Sequence, residues 1–292
     1  LYEAQTEQDE ADFIIRKIIQ LQVNNLHDVA VLYRTNAQSR VIEEALLHHA
    51  VPYTLVGGIR FYERKEVKDV LCYLRLINNP KDGVPNKRAE KLGKRRFEKF
   101  KVYQSTVIPA DDKYKTIDFL DGVIKATGYL ELYDEKVEED RMRLENIKEL
   151  RSVAMEFPNL VEFLENIALV EKEYTSDDTK GEKAKRMTLM TLHAAKGLEF
   201  PIVFMIGMEE GIFPHSRSLM DRGELEEERR LCYVGITRAK RRLFMTYAKR
   251  RLFFGQRTSN PPSRFLTELP QHTVSQSTHF SLDSLKDPTD LF

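Results

Sequence analysis

The sequence predicts an α/β protein in which a parallel β-sheet covered by helices is interrupted by a mostly helical insertion. Strand and helix patterns alternate with short links near the N-terminus, and strand patterns return only in the last third of the chain. Strands that alternate with helices in this way form parallel sheets. The chain has 292 residues, of which 41% are hydrophobic, so it is long enough for one large domain or two ordinary ones.

The N-terminal part carries a helix followed by a strand, a helix and a second strand. Thr6 and Asp9 have the spacing of a helix capping box, and apolar residues then recur at helical spacing. Residues 28–33 form an apolar run that is typical of a buried strand. A helix is predicted over residues 37–49, and a short strand over residues 53–56 ends at two glycines.

The middle of the chain changes to helical spacing. Residues 62–77 predict a helix that stops at an Asn-Asn-Pro sequence, and residues 117–172 predict two or three amphipathic helices. Residues 81–116 between them are basic and broken by Gly and Pro, whereas residues 174–186 form a polar linker. This block is therefore predicted to be an insertion into the α/β unit.

Strand patterns return near the C-terminus. Strands are expected over residues 187–192, 201–207 and 243–247, with a charged helix over residues 224–236 and a small closing helix over residues 261–269. The predicted domains follow: residues 1–61 and 185–272 form one discontinuous α/β domain, residues 62–184 form the helical insertion, and residues 273–292 form a disordered tail.

Charge and composition narrow the class of protein. Lys and Arg balance Asp and Glu at 46 each, but residues 81–101 and 238–251 are strongly basic and contain aromatic residues. Such runs are either solvated faces or contacts for nucleic acid. No apolar run reaches membrane-spanning length and no signal peptide is evident, so a cytoplasmic protein is expected. Cys72 and Cys232 are expected to be buried reduced thiols, and no Cys/His cluster has zinc spacing.

A first polar stretch, residues 190–200, follows a predicted strand. Polar groups at the ends of parallel strands usually line a ligand cleft. Gly197 would allow a close approach or a positive φ. His193 and Lys196 could face a phosphate, and Glu199 could accept hydrogen bonds from ribose hydroxyls; an ordinary loop with a capping glutamate is the alternative.

A second stretch, residues 226–240, is a charged helix that ends in Thr237-Arg238. The arginine is either a cation that stabilises the helix C-terminus or an arginine finger for phosphoryl transfer. The sequence contains no G-x-x-x-x-G-K-[ST] motif, and no buried strand ends in an Asp-Glu pair. If the chain helps to split a nucleotide, the phosphate cradle and the Mg²⁺ ligands must come from another domain.

Five stretches form an ordered set of motifs, namely residues 30–40, 52–62, 191–200, 207–215 and 233–239. In this order they closely resemble the UvrD/PcrA/Rep family of superfamily 1 DNA helicases, which move 3′→5′ along single strands. The similarity covers residues 1–62 and 187–270. It indicates the C-terminal half of such a helicase, with the second RecA-like motor domain, a P-loop NTPase-like fold without the P-loop, and its helical insertion domain.

The resemblance implies roles for individual residues. Residues 191–200 resemble motif V, which implies that Glu199 binds the nucleotide ribose, that Gly197 belongs to the ATP site, and that Thr191 and His193 face DNA. Residues 233–239 resemble motif VI, which implies that Arg238 is catalytic and contacts the γ-phosphate of ATP. Five further positions match residues that touch the single strand: Arg34, Asn36, Arg60, His215 and Phe254.

The resemblance also implies partners. They are ATP with Mg²⁺, single-stranded DNA and its junction with duplex, the N-terminal motor domain of the same protein, and repair or replication accessory proteins in the bacterial cytoplasm or nucleoid. The P-loop, the Asp-Glu-x-x-Asp box and a second arginine finger of the family are not in this sequence. The chain is therefore expected to be a piece of a longer protein and to have no ATPase activity alone.

The insertion departs from the family pattern. The family follows its Asn-Pro with a longer insertion that carries a Gly-Ile-Gly hairpin for gripping duplex DNA, whereas residues 81–87 are at best a remnant of it. Two alternatives remain open. One is the helicase part of an AddA/RecB-type helicase–nuclease, and the other is a non-catalytic module that binds DNA or a partner.

Overall fold

The structure is a computed structural model that describes residues 1–107, 114–179 and 186–275. A six-stranded sheet forms the centre of the molecule. The strands lie in the order β1-β6-β5-β2-β4-β3 and all neighbours are parallel. Their bounds are β1 Tyr2–Ala4, β2 Val29–Tyr33, β3 Tyr53–Val56, β4 Met187–Thr191, β5 Phe200–Met205 and β6 Ala239–Ala248. The parallel sheet that the sequence predicts is confirmed.

Helices cover both faces of this sheet. Alternate strand residues point to opposite faces, so Val31 packs against α1 (Glu7–Gln20) and α2 (Ser39–His48) on one side. Leu32 packs on the other side against α9 (Arg222–Ile236) and α10 (Arg264–Thr267). Because β2 is buried on both faces, its apolar run is continuous.

The residues between β3 and β4 form a block of helices with its own apolar core. That core includes Leu71, Leu74, Phe100, Leu120 and Phe163, all fully buried. The helices are α3 Lys65–Asn78, α4 Gly83–Lys91, α5 Lys94–Gln104, α6 Thr116–Thr127, α7 Glu138–Glu156 and α8 Leu160–Thr179.

The basic stretch after α3 is more regular than the sequence indicates. Residues 83–91 and 94–104 are helices α4 and α5, not a broken segment. Pro85 falls in the first turn of α4, where the missing N–H has no helical partner to lose. Phe97 and Phe100 are buried and hold α5 on the block.

Other sequence predictions end at different residues in the structure. Helix α8 continues to Thr179, inside the segment predicted to be a linker, and residues 180–185 lie outside the described part. The first residues of the predicted disordered tail are ordered, since the Leu1 amino group donates to Ser275 O at 2.7 Å. Residues 276–292 lie outside the described residues. Strand β1 and the hairpin of β7 (Arg251–Phe253) and β8 (Gln256–Thr258) were not predicted.

A buried polar seam joins the helical block to the helices on the sheet. Arg40 of α2 donates to Glu149 of α7 at 2.8 Å, with both side chains at most 2% exposed. Arg64, just before α3, donates to Asn146 of α7 and to Ser39 of α2, each at 2.7 Å. These charges are paired and hydrogen-bonded, as buried charges must be to remain ionised.

Candidate functional site

The polar stretches meet at the edge of the sheet where its parallel strands end. Leu192 N–H donates to Tyr33 O at 2.8 Å, which ties the turn after β4 to the end of β2. Ile206 N–H donates to Leu32 O at 3.1 Å, which ties the segment after β5 to the same strand. The loops that carry Arg34, His193 and His215 therefore leave from one edge, as parallel strands require.

The turn after β4 is compact and depends on its glycine. Ala194 N–H donates to Thr191 Oγ1 at 3.3 Å, and Leu198 N–H donates to Ala195 O at 3.1 Å. Gly197 has a φ of 87°, and a Cβ placed there would meet no atom within 4 Å. Of the two reasons predicted for this glycine, the positive φ is observed, whereas close approach of a ligand stays a prediction.

Arg238 connects the two polar stretches. Its Nη1 donates to Leu198 O at 2.9 Å, beside Glu199, while its Nε donates to Val234 O and its Nη2 to Thr237 Oγ1 at the same distance. The guanidinium thus caps carbonyls at the end of α9, which is the simpler of the two predicted roles. The same geometry also holds it at the turn where a nucleotide was predicted to bind.

Glu199 lies beside this arginine with an exchangeable partner. Its carboxylate is 3.3 Å from Lys240 Nζ, and the two side chains are 55% and 54% exposed. An ion pair this exposed contributes about 0–1 kcal/mol. Glu199 can therefore leave Lys240 for hydroxyl donors of a ligand at little cost.

Three predicted DNA contacts cluster around one buried carboxylate, that of Glu228 in α9. Arg34 Nε donates to both of its oxygens, at 2.9 and 3.0 Å, and His215 N–H donates to Oε2 at 2.9 Å. The pKa of His193 is lowered, first by desolvation and then by the charge of nearby Arg34. A lowered pKa favours the neutral form of the His193 ring.

The helical block also contacts this cluster. His215 Nε2 is 3.4 Å from Glu145 Oε1 of α7, and Asn36 Nδ2 is 3.6 Å from Met142 Sδ of the same helix. Asn36 O accepts from Arg64 Nη1 at 3.1 Å. One face of α7 is therefore a wall of the candidate DNA site.

The other two predicted contacts lie apart from the cluster. Arg60 donates to Tyr174 O at 2.9 Å and places its guanidinium 4.8 Å from the centre of that ring. Phe254 has a φ of 56° and stacks on Phe253 with ring centres 3.8 Å apart, while its N–H donates to Glu149. Both are held against the helical block and not against Glu228.

Glu228 was not predicted as a site residue, although the sequence contains a signal for it. Glu228, Leu231, Cys232 and Gly235 recur at the spacing of one helix face, and all four are buried. A Cβ on Gly235 would come within 2.5 Å of Leu192 Cδ2, so α9 packs closely on the turn after β4. An acidic residue in register with that apolar face is a buried carboxylate that requires partners.

A second buried acidic group, also missed, fixes the loop after β5. Arg251 donates to Glu10 at 2.5 Å and to Glu209 at 2.6 Å, and all three side chains are at most 6% exposed. Glu10 also accepts from the N–H of Gly207 at 2.9 Å. This triad ties α1 and β7 to the loop that leads to His215.

Within the described residues, no group of His, Cys, Asp or Glu side chains is arranged to hold a metal ion. The helices in the same residues include none that is long and apolar enough to cross a membrane. Cys72 and Cys232 are buried free thiols, and burial raises the pKa of each to about 12. The prediction of buried reduced thiols is confirmed.

The parallel sheet with its polar carboxyl edge defines a RecA-like α/β domain, which confirms the predicted fold class. The chain belongs to the family of UvrD-like helicase C-terminal domains, whose family model matches residues 1–120 and 113–250. The resemblance seen in the motifs is thereby confirmed.

Individual relatives agree with this family. The chain is 41% identical to proteins named ATP-dependent DNA helicase PcrA from Staphylococcus aureus (strain MRSA252) and Bacillus subtilis (strain 168), and each match covers 92% of the chain. It is 39% identical to the protein of the same name from Staphylococcus epidermidis over 95% of the chain. The chain spans only 43–44% of the length of these relatives.

Proposed function

We propose that the chain is the C-terminal part of an ATP-dependent 3′→5′ DNA helicase of the bacterial cytoplasm. Residues 1–61 and 185–272 act as the second motor domain, and residues 62–184 act as its helical insertion. The observation that carries the proposal is the hydrogen bond from Arg238 to Leu198 O, which joins the predicted phosphate sensor to the predicted ribose site. The names of the relatives support ATP and DNA as ligands.

ATP would bind between this domain and the N-terminal motor domain. Arg238 donates at present to neutral acceptors, and the anionic γ-phosphate is a stronger acceptor for the same guanidinium edge. Glu199 would exchange Lys240 for the ribose hydroxyls. Mg²⁺, held by ligands on the other domain, would neutralise the charge of the phosphates. This chain would supply the arginine that stabilises charge in the transition state.

Single-stranded DNA would bind along the carboxyl edge of the sheet. Arg34 offers a cation, and Asn36, Thr191, His193 and His215 offer polar groups from adjacent loops. Arg60 and Phe254 would contact the strand farther along, the second by stacking on a base. Because phosphate contacts release counterions, binding should weaken steeply as salt rises.

The test is Arg238→Ala in the full-length protein. Loss of an arginine finger lowers turnover by about 10³-fold or more, so DNA-stimulated ATPase should fall by that order while the dissociation constant for a dT oligonucleotide without nucleotide changes less than about twofold. Arg230→Ala is the matched control, since Arg230 lies on the same helix and is 77% exposed. An R238A variant with ATPase like the control would contradict the proposal.

A further inference from the structure

Glu228 is a buried carboxylate that holds two loops of the candidate DNA site at once. Its side chain is 6% exposed, and its oxygens accept from the Arg34 guanidinium and from the backbone N–H of His215. These two donors are far apart in sequence, on the loops after β2 and β5. A single acceptor on α9 therefore fixes their separation.

The contact with Arg34 determines which edge of that guanidinium faces outward. Nε and Nη2 are directed at the carboxylate, with Nη2 at 2.7 Å from Oε1. Nη1 makes no hydrogen bond within the described residues and the side chain is 21% exposed, so this edge is left for a phosphate. A carboxylate bound in two places orients an arginine more firmly than a single contact does.

Helix α9 links this anchor to the predicted ATP sensor. Glu228 and Ile236, the last residue of α9, are eight residues apart, which is about 12 Å at the rise of an α-helix, and Arg238 follows two residues later. Between them the helix is packed on the sheet by Leu231, Cys232 and Gly235. A displacement of the Arg238 end is therefore transmitted to Glu228 as movement of a rigid element.

We propose that Glu228 is the positioning residue that couples the two ligand sites. It aligns Arg34 and the His215 loop for the DNA strand and moves them with the helix whose last turn leads to Arg238. This inference rests on the proposed helicase function. In this proposal Glu228 touches neither ligand itself. It couples the two sites through Arg34, the His215 loop and α9.

The first variant is Glu228→Gln in the full-length protein. Glutamine keeps the length of the side chain and one acceptor, but it cannot offer two anionic oxygens to Arg34. Loss of a charge-assisted contact of this kind should raise the DNA concentration for half-maximal ATPase stimulation about tenfold. Because coupling is also lost, maximal stimulation at saturating DNA should fall at least about threefold.

Glu227→Gln is the matched control. Glu227 precedes Glu228 on the same helix, pairs with exposed Arg230, and is 71% exposed. It removes the same charge near the DNA without touching Arg34 or His215, so both kinetic parameters should stay within about twofold of wild type. If the wild type and this control show no DNA-stimulated ATPase, the proposed function fails and not the assignment of Glu228.

A double-mutant cycle separates positioning from general stability. If Glu228 acts through Arg34, adding Glu228→Gln to Arg34→Gln should weaken DNA binding by less than about threefold, because the partner is already absent. If the two substitutions instead weaken DNA binding by factors that multiply in the double variant, that result would overturn the inference. So would an E228Q variant that binds DNA more tightly, since the carboxylate would then be withholding Arg34 from phosphate.

Glu228→Asp keeps the charge and covers the case in which the glutamine variant does not fold. The shorter side chain cannot reach Arg34 and the His215 N–H together, so DNA affinity and maximal stimulation should take values between those of wild type and a total loss of the anchor. A folded E228D variant that matches wild type in both parameters would overturn the assignment.

Discussion

Glu156 lies among acidic side chains around Arg40, so the charge of Glu156 should destabilise the folded protein at high pH. Its Oε1 is 3.7 Å from Arg40 Nη2, and its side chain is 26% exposed. Burial raises the pKa of Glu156 to about 7 against the opposing effect of Arg40. Repulsion adds to the rise, from the carboxylates of Glu44, Glu7 and Glu149.

The sign of the pH dependence follows from this raised pKa. An unfolded glutamate titrates near 4.5, so between pH 4.5 and about 7 the folded protein holds a proton that the unfolded chain has released. The free energy of unfolding therefore falls as pH rises through this window. The rise in pKa corresponds to roughly 3 kcal/mol at about 1.4 kcal/mol per pH unit, and solvent screening at the exposed part of the side chain reduces this to about 2 kcal/mol.

Glu156→Gln removes the charge and keeps the shape. We expect the variant to be more stable than wild type by about 2 kcal/mol at pH 8 and nearly equal to it at pH 4.5, where the folded carboxyl is protonated and the unfolded one is about half protonated. Urea denaturation followed by helical circular dichroism from pH 4.5 to pH 8 measures the difference. Glu165→Gln, at an exposed position of α8, is the control.

Two results would contradict a raised pKa for Glu156. A difference between E156Q and wild type that is constant over the pH range would show that Glu156 titrates normally. An E156Q variant that is less stable at pH 8 would show that attraction to Arg40 outweighs burial and repulsion.

Two further predictions concern buried groups. Arg251→Ala should lower the free energy of unfolding by about 3–5 kcal/mol, because it leaves the buried carboxylates of Glu10 and Glu209 without their cation; urea denaturation at pH 7 measures this. Cys72 and Cys232 should react with a thiol reagent only after unfolding, because burial raises the pKa of both thiols to about 12 and shields them; labelling with and without urea measures this.

Arg250→Ala is the control for the first of these, since Arg250 is exposed and adjacent in sequence. Equal stability of the R250A and R251A variants would contradict the role given to the triad. Stoichiometric labelling of the native protein within seconds would contradict the prediction for the thiols.

Much of the fold could be predicted because strands β2, β4 and β5 are largely buried on both faces. Continuous apolar runs marked β2, β4 and β5 to within one or two residues. Strand β1 escaped because it has three residues and its pairing with β6 comes from opposite ends of the chain. The hairpin of β7 and β8 escaped because its strands also have three residues each.

The sequence motifs point to candidate site residues, but they do not reveal the buried residues that hold those side chains in place. The motif stretches predict Arg238 and Glu199 as site residues, and the structure places both beside one turn. The two interpretations of Arg238 were not exclusive, since the guanidinium that caps α9 also reaches Leu198 O. Glu228 was missed because it is one of three consecutive glutamates, and only its register with the apolar face of α9 separates it from the exposed two.

The proposal that Arg238 couples ATP to DNA binding is tested most directly by the effect of nucleotide on DNA affinity in the full-length protein. The dissociation constant for a dT oligonucleotide is measured with and without a non-hydrolysable ATP analogue, in wild type and in the R238A variant at equal salt. Wild-type affinity should change severalfold with nucleotide, whereas the variant, with the analogue at saturation, should show no change. A variant that keeps the wild-type ratio would show that Arg238 does not couple ATP to the grip on DNA.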